Sequence, residues 1–281
     1  MPTREQQIDI PVPSGSIAGT LVTPGSLIPG VLFVHGWGGS QTQYLARARE
    51  TAALGCVCLT FDLTGHAATG AQLGTVSRET NLRDVLAAYD RLAAYPHVDP
   101  AAIAVVGSSY GGYLSAILTT LRPVKWLALR VPALYLDSGW QLPKLQLHKE
   151  QDLHAYRRSF VPAEDNLALR ACAAYPGDVL IVESQHDGTI PPEVITSYRE
   201  ACVKVRSLTY RCMAGADHGL TAEAMQRAYT MLLMQWLGEM LPGARRDGGV
   251  APETFAAAAR EAAQAADAQT GVVPEAPVKP A

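Results

Sequence analysis

Short apolar runs alternate along the chain with longer segments in which apolar residues recur every three or four positions. The short runs predict buried strands, and the longer segments predict amphipathic helices. The predicted strands are Gly30–His35, Cys56–Asp62, Ile103–Gly107, Trp126–Val131, Val179–Glu183 and Ser207–Met213. The predicted helices are Tyr44–Leu54, Glu79–Ala94, Tyr110–Leu121, Pro192–Cys202 and Thr221–Leu241. Because strands alternate with helices, we expect an α/β fold with a mostly parallel sheet and helices on both faces.

Two segments depart from this alternation. Near the start, Ile8–Val12 and Ile17–Thr23 flank the turn sequence Pro13-Ser14-Gly15, which is typical of an antiparallel hairpin. Later, residues 132–177 form a long, mixed connection between two predicted strands. A connection of this length favours a functional insertion, and we interpret it as a small helical cap.

Composition and charge narrow the classes of function. The chain has 281 residues, 48% of them hydrophobic and 17% charged, with a net charge of −3. We expect one catalytic-size domain over residues 1–242 and a flexible tail, rich in alanine and proline, over residues 243–281. Without a basic stripe, neither nucleic acid nor an anionic membrane is the expected partner.

Neither the cysteines nor the first residues of the sequence indicate a further functional site. The five cysteines lack the paired spacing of a zinc site, so no metal or cofactor is expected. No apolar run is long enough to span a membrane, and the first residues do not resemble a secretory signal. The expected location is therefore the cytoplasm.

The strongest chemical signal is the sequence Gly107-Ser108-Ser109-Tyr110-Gly111, which lies between a predicted strand and a predicted helix. In that setting, Gly-x-Ser-x-Gly predicts a sharp turn that exposes the central serine at the edge of the sheet. The two glycines relieve the crowding of the turn. Ser109 is the predicted nucleophile.

A serine nucleophile needs a base and an acid that orients the base. Asp187 follows the strand at Val179–Glu183, and His218 follows the last strand, so the order serine, acid, histidine fits the motif. His186 and Asp217 flank this pair and are the closest rivals. Other histidines are interpreted as loop or surface residues: His35, His66, His148 and His154.

The loop His35-Gly36-Trp37-Gly38-Gly39 is predicted to supply half of an oxyanion hole. Glycines allow backbone amides to approach a ligand closely, and we assign the hole to the amides of Trp37 and Tyr110. The expected substrate-binding side chains are Trp37, Tyr110, Trp140 and Ile190.

Together, Gly107–Gly111, the HGWGG loop, Asp187 and the Gly-Ala-Asp-His-Gly sequence at His218 resemble the α/β-hydrolase superfamily. The resemblance covers about residues 5–241. Within the superfamily, the sequence is similar to the dienelactone-hydrolase-like esterases and to the prolyl-oligopeptidase-like hydrolases. It implies an eight-stranded sheet with an antiparallel second strand, and a cap in the slot that residues 132–177 occupy.

The sequence thus predicts a serine hydrolase that cleaves carboxylic esters of small substrates through an acyl-enzyme. One alternative is a peptidase or amide hydrolase that uses the same three residues. Another is a non-catalytic binding protein of the same fold. The expected partner is a small-molecule ester, and a homodimer is compatible with the sequence.

Overall fold

A computed structural model describes residues 3–12, 15–24, 26–241 and 246–247. Among these, Leu27–Leu241 lie in one compact unit, and the hairpin near the start belongs to another. The predicted tail, residues 243–281, lies outside the described residues except for the two-residue strand β9 (Arg246–Asp247).

The central sheet has the parallel strands predicted from the apolar runs. Their spatial order is β4-β3-β5-β6-β7-β8. The strands are β3 (Ser26–Val34), β4 (Val57–Thr60), β5 (Val98–Ser108), β6 (Trp126–Arg130), β7 (Asp178–His186) and β8 (Ser207–Asp217). All their carboxyl ends therefore meet at one edge, where open α/β sheets build their sites.

Helices cover both faces of this sheet, as predicted. The helices outside the cap are α1 (Leu45–Ala53), α2 (Arg78–Ala93), α3 (Tyr110–Leu118), α7 (Pro192–Ala201) and α8 (Glu223–Met240). Short 3₁₀ turns occur at Gln41–Tyr44, Ala67–Gln72 and Ala163–Asp165.

The core lies in two layers because successive side chains of a strand point to opposite faces. In β5, Val105 joins the cluster that packs on α2, α3 and α7, whereas Val106 joins the cluster that packs on α1 and α8. Both side chains are fully buried. Burial on both faces explains why the strands are continuous apolar runs rather than alternating ones.

The predicted cap contains three short helices. They are α4 (Lys144–Glu150), α5 (Leu153–Arg157) and α6 (Leu167–Ala174). The segment is tied to the start of α2 by a bridge between Ser77 and Pro143 and by a 2.8 Å hydrogen bond from the Lys144 amide to the Val76 carbonyl.

The hairpin near the start forms a separate two-stranded antiparallel sheet of β1 (Thr3–Val12) and β2 (Gly15–Pro24), with Ile10 opposite Ile17. The eight-stranded sheet implied by the resemblance is therefore not confirmed. Over residues 27–241, the sheet consists of six parallel strands.

Candidate active site

Ser109 lies at the sharp turn between β5 and α3. Its backbone has φ 51° and ψ −117°, a region that non-glycine residues rarely adopt and that costs conformational energy. Glycines make the turn sterically possible: a Cβ on Gly111 would lie 2.3 Å from the Val34 carbonyl oxygen, and one on Gly107 would lie 2.5 Å from Ser115 Oγ. The Gly-x-Ser-x-Gly spacing therefore has a direct steric cause.

Backbone hydrogen bonds from three elements hold the strained residue in place. The Ser109 amide donates to the Arg130 carbonyl at 2.9 Å. The Ser109 carbonyl accepts from the amides of Tyr113 at 3.1 Å and Ala133 at 3.0 Å. The backbone from which the Ser109 side chain projects is thus held by its neighbours.

The structure brings Asp187 and His218 together. His218 Nδ1 lies 2.7 Å from Asp187 Oδ2, and the Asp187 side chain is only 3% exposed. The other carboxylate oxygen accepts the amides of Thr189 at 2.8 Å and Ile190 at 2.7 Å. Burial opposes ionisation of Asp187, but the hydrogen bonds from His218 and these amides outweigh it and lower the pKa of the carboxyl.

Ser109 and His218 line one cavity of about 320 Å³ at the carboxyl edge of the sheet. Trp37 lines it as well. In the part of the chain that the structure describes, no hydrogen bond joins the Ser109 hydroxyl to His218. Such bonds are often long without substrate and tighten when it binds.

The rivals of the pair are placed elsewhere. His186 is exposed to solvent, and Asp217 is half-buried and accepts the Thr221 amide at 2.9 Å. Asp217 also binds the Thr221 hydroxyl, so its carboxylate holds the turn that leads into α8. Neither residue lines the cavity among the described residues.

His35 and His66 hold the glycine-rich loop in shape. His66 Nε2 accepts the Gly38 amide at 3.0 Å, and His35 Nε2 accepts the Leu63 amide at 3.0 Å. Burial lowers the pKa of both imidazoles, which favours the neutral form that can accept an amide hydrogen. These two histidines therefore fix the loop, as the sequence suggested for His35.

The amides of the glycine-rich loop differ in their hydrogen bonding. The Gly38 amide is engaged by His66, and the Gly39 amide donates to the Gly36 carbonyl at 3.0 Å. Within residues 27–241, by contrast, the Trp37 amide has no acceptor. Trp37 lines the cavity, and Tyr110 is the first residue of α3, directly after Ser109. This arrangement is compatible with both amides acting on one oxyanion.

Of the four predicted substrate-binding side chains, Trp37 alone lines the cavity among the described residues. The Tyr110 side chain is fully buried, and its hydroxyl donates to Asn81 Oδ1 at 3.1 Å. Trp140 is half-buried against the ring of Tyr113, and Ile190 is buried in the core.

Sequence reasoning missed Lys144, the first residue of the cap helix α4. Its side chain is 1% exposed, and its ammonium lies 4.0 Å from the ring centre of Trp37, 5.0 Å from that of Tyr110 and 5.1 Å from that of Tyr135. Such cation–π contacts link the cap to both residues whose amides are the predicted oxyanion hole. A lone lysine in a polar segment gave no signal of this role.

Two further cations lie near Lys144. Arg78 is fully buried and donates to the carbonyls of Leu136 and Ser138, each at 2.6 Å. Arg157 donates to the Leu134 carbonyl at 2.9 Å. None of the ion pairs found in the described residues involves these two arginines or Lys144. The cap is thus held by cations that bind backbone carbonyls and aromatic rings.

Two other arginines reach the cavity itself, Arg47 from α1 and Arg130 from the end of β6. Arg130 is 7% exposed, and it donates to the His218 carbonyl at 2.8 Å. The one sequence feature that could have pointed to Arg130 is an arginine at the end of an otherwise apolar strand, because charged residues are rarely buried.

Among the described residues, no group of histidine, cysteine, aspartate and glutamate side chains could hold a metal ion. The same residues also contain no helix that is long and apolar enough to cross a membrane.

Comparison with protein families decides the relationship. A model described as the prolyl oligopeptidase family matches residues 40–243. The chain belongs to this family. No curated protein sequence gives a significant match to this family member.

Solved structures show that this family member has the α/β-hydrolase fold. A dienelactone hydrolase from Anabaena variabilis is 19% identical, with a TM-score of 0.52, over 85% of this chain and 99% of its own. An esterase from Pyrococcus furiosus is 16% identical, with a TM-score of 0.56, over 85% and 93%. A puromycin-hydrolysing peptidase from Mycobacterium tuberculosis is 18% identical, with a TM-score of 0.59, over 85% of this chain but 40% of its own.

Lys144→Met is expected to leave the melting temperature of this family member unchanged or raise it by a few degrees at neutral pH. Methionine fills a similar volume and removes a buried charge that lacks a carboxylate partner. Burial lowers the pKa of Lys144 below 10.5, so the unfolded chain binds more protons than the folded one between the lowered pKa and 10.5. The wild type therefore gains stability as pH rises through this window, and the advantage of the variant shrinks.

Thermal unfolding of the wild type and Lys144→Met, from neutral pH upward to 10.5, checks the expectation. Lys149→Met is the matched control, because Lys149 is exposed on the same helix. A melting temperature that falls in Lys144→Met but not in the control would show that the aromatic contacts more than offset the cost of burying the charge.

Proposed function

We propose that this protein is a serine hydrolase that cleaves carboxylic esters of small substrates through an acyl-enzyme intermediate. The observation that carries the proposal is the 2.7 Å contact between His218 and the buried Asp187, with His218 on the same cavity as the strained Ser109. A nucleophile, a base and an acid that orients the base are the parts this reaction requires.

In the first half-reaction, Ser109 Oγ attacks the ester carbonyl carbon while His218 Nε2 takes the hydroxyl proton. The carbonyl oxygen becomes an oxyanion, to which the amides of Trp37 and Tyr110 donate. His218 then gives its proton to the alcohol oxygen, the ester C–O bond breaks, and the acyl group stays on Ser109.

In the second half-reaction, water takes the place of the serine hydroxyl. His218 accepts a proton from the water while the water oxygen bonds to the acyl carbon. The bond between the acyl carbon and Ser109 Oγ then breaks, and His218 returns the proton to Ser109 Oγ. The products are the carboxylic acid and the free enzyme. Throughout, Asp187 keeps Nδ1 protonated and stabilises the imidazolium that forms in each step.

A peptidase or amide hydrolase is the second candidate, and the family match favours it specifically. The same three residues would serve, since an amide differs in the leaving group that His218 must protonate. The neighbour from M. tuberculosis is named as a peptidase that hydrolyses puromycin, whereas those from A. variabilis and P. furiosus are named as a dienelactone hydrolase and an esterase. Whether the protein cleaves an ester bond or an amide bond therefore needs a direct test with substrates of both kinds.

The test compares kcat/KM for p-nitrophenyl esters of increasing acyl length with kcat/KM for aminoacyl p-nitroanilides. We expect turnover of short-chain esters well above that of every anilide. Anilide turnover without ester turnover would replace the ester proposal by the peptidase one. Absence of turnover and of fluorophosphonate labelling would favour a binding protein of the same fold.

A further inference from the structure

The cavity that contains Ser109 and His218 is lined with positive charge. Arg47 and Arg130 both reach it, and none of the described lining residues is an aspartate or a glutamate. The whole chain has a net charge of −3, so the positive charge of this cavity is opposite in sign to the charge of the chain. A cavity lined by one sign of charge concentrates ligands of the opposite sign.

Arg47 reaches the cavity from α1, where that helix meets α8. Its Nε donates to Thr230 Oγ1 at 3.1 Å, and one terminal nitrogen donates to the Gln43 carbonyl at 3.3 Å. These contacts fix the direction of the guanidinium. They also leave part of its donor fork without an acceptor in the described residues.

Arg130 approaches from the end of β6. Its strong hydrogen bond goes to the His218 carbonyl at 2.8 Å, and its contacts with the hydroxyls of Ser108 and Ser184 are long, at 3.4 and 3.5 Å. No acceptor in this set is charged. The desolvation of this buried guanidinium is therefore only partly compensated.

One aromatic ring lies beside both arginines. The guanidinium carbon of Arg47 is 5.0 Å from the ring centre of Tyr229, and that of Arg130 is 5.7 Å from the same centre. None of the ion pairs found in the described residues involves either arginine. We call Arg47 and Arg130 the arginine pair.

We propose that the arginine pair binds a carboxylate of the substrate, so that the preferred substrate is a small ester or amide that also carries a free carboxylate. The inference rests on the proposed function, because it deepens the substrate class of that same site. A carboxylate is planar and accepts two parallel N–H bonds from a guanidinium, which makes it the natural complement of an arginine without a counter-charge.

The cavity volume fits this substrate class. About 320 Å³ is at the small end of ligand sites, so a charged group bound there lies close to Ser109 and His218. The carboxylate would belong either to the acyl part or to the leaving group. Paired substrates distinguish the two positions.

The experiment uses two matched pairs of esters. Mono-p-nitrophenyl glutarate and its methyl ester differ by a charge on the acyl part, and 4-acetoxybenzoate and its methyl ester differ by a charge on the leaving group. We expect the wild type to prefer the charged member of at least one pair in kcat/KM. Arg47→Gln should lower that charged-to-neutral ratio by about tenfold or more, the effect of losing a hydrogen bond to a charged group.

Arg49→Gln is the matched control, since Arg49 is exposed on the same helix and should leave the ratio unchanged. A wild type that hydrolyses both neutral esters at least as well as the charged ones would overturn the arginine-pair proposal and leave the hydrolase proposal standing. An unchanged ratio in Arg47→Gln would overturn it as well.

A binding measurement separates the two proposals if no ester is turned over. Titration calorimetry with glutarate should give saturable binding to the wild type and weaker binding, by about tenfold or more, to Arg47→Gln. That result would support the arginine pair even where the hydrolase proposal fails. Absence of glutarate binding to the wild type would overturn the arginine pair.

Discussion

Ser109→Ala is expected to lower kcat for a p-nitrophenyl ester by a factor on the order of 10⁶ and to abolish labelling by a fluorophosphonate. The variant removes the attacking oxygen but keeps the cavity, the loop of Trp37 and the Asp187–His218 pair. The residual rate then comes from binding and from the oxyanion hole. Initial rates and gel-based labelling of the same preparations measure both effects.

Ser108→Ala is the comparison for this result, because Ser108 is adjacent to Ser109 and also lines the cavity. Its hydroxyl lies 3.4 Å from Arg130 Nε, and the proposed reaction does not use it. The labelled position should therefore persist in Ser108→Ala. Labelling that survives in Ser109→Ala would identify a different nucleophile.

Asp187→Asn is expected to lower kcat by about 10⁴-fold with little change in the fold. Asparagine can still accept the amides of Thr189 and Ile190. Its amide group would donate towards His218 Nδ1, however, and so favour the imidazole tautomer that cannot accept the serine proton. The measurement is kcat on the best ester, with circular dichroism to compare the folded states.

Asp217→Asn is the control for this prediction, because Asp217 lies directly before His218 but holds the turn at Thr221. We expect kcat to stay close to the wild-type value and the melting temperature to fall slightly. If Asp217→Asn lost activity and Asp187→Asn kept it, the orienting acid would have been assigned to the wrong aspartate.

Much of the fold could be predicted from the sequence because its strands are buried on both faces. A run such as Ile103–Gly107 has no polar position to interrupt it, so the apolar pattern alone locates the strand. The observed strand β5 extends further, to Val98–Ser108. Its pairing with β3 shifts register between Ile28 and Gly30, and hydrophobicity does not report such an irregularity.

The candidate nucleophile, acid and base could be predicted from the sequence for a different reason. Each follows a strand whose carboxyl end lies at the same edge of the sheet, so sequence order and strand positions together predict that they meet. The glycines at 107 and 111 add a steric signature, because only the smallest residue fits against the Val34 carbonyl and the Ser115 hydroxyl.

Strand order alone does not bring the charged residues of the cap and of the cavity to the site. Lys144 contacts Trp37 and Tyr110 only because the cap folds back over the sheet. Arg47 and Arg130 line one cavity only because α1, β6 and α8 pack together around it. These contacts join segments that are distant in sequence and carry no shared motif. Tertiary packing determines these contacts, and the hydrophobic pattern of the sequence does not reveal them.

The most direct test of the acyl-enzyme is peptide mass mapping after an acid quench during turnover of p-nitrophenyl acetate. Acid protonates the histidine base and traps the ester on the enzyme before water removes it. The account predicts an acetyl group on the peptide that contains Ser109, at a stoichiometry close to one per active chain, and none in Ser109→Ala. An enzyme that turns over the ester with no acetyl group on Ser109, or with the group on another residue, would contradict the account.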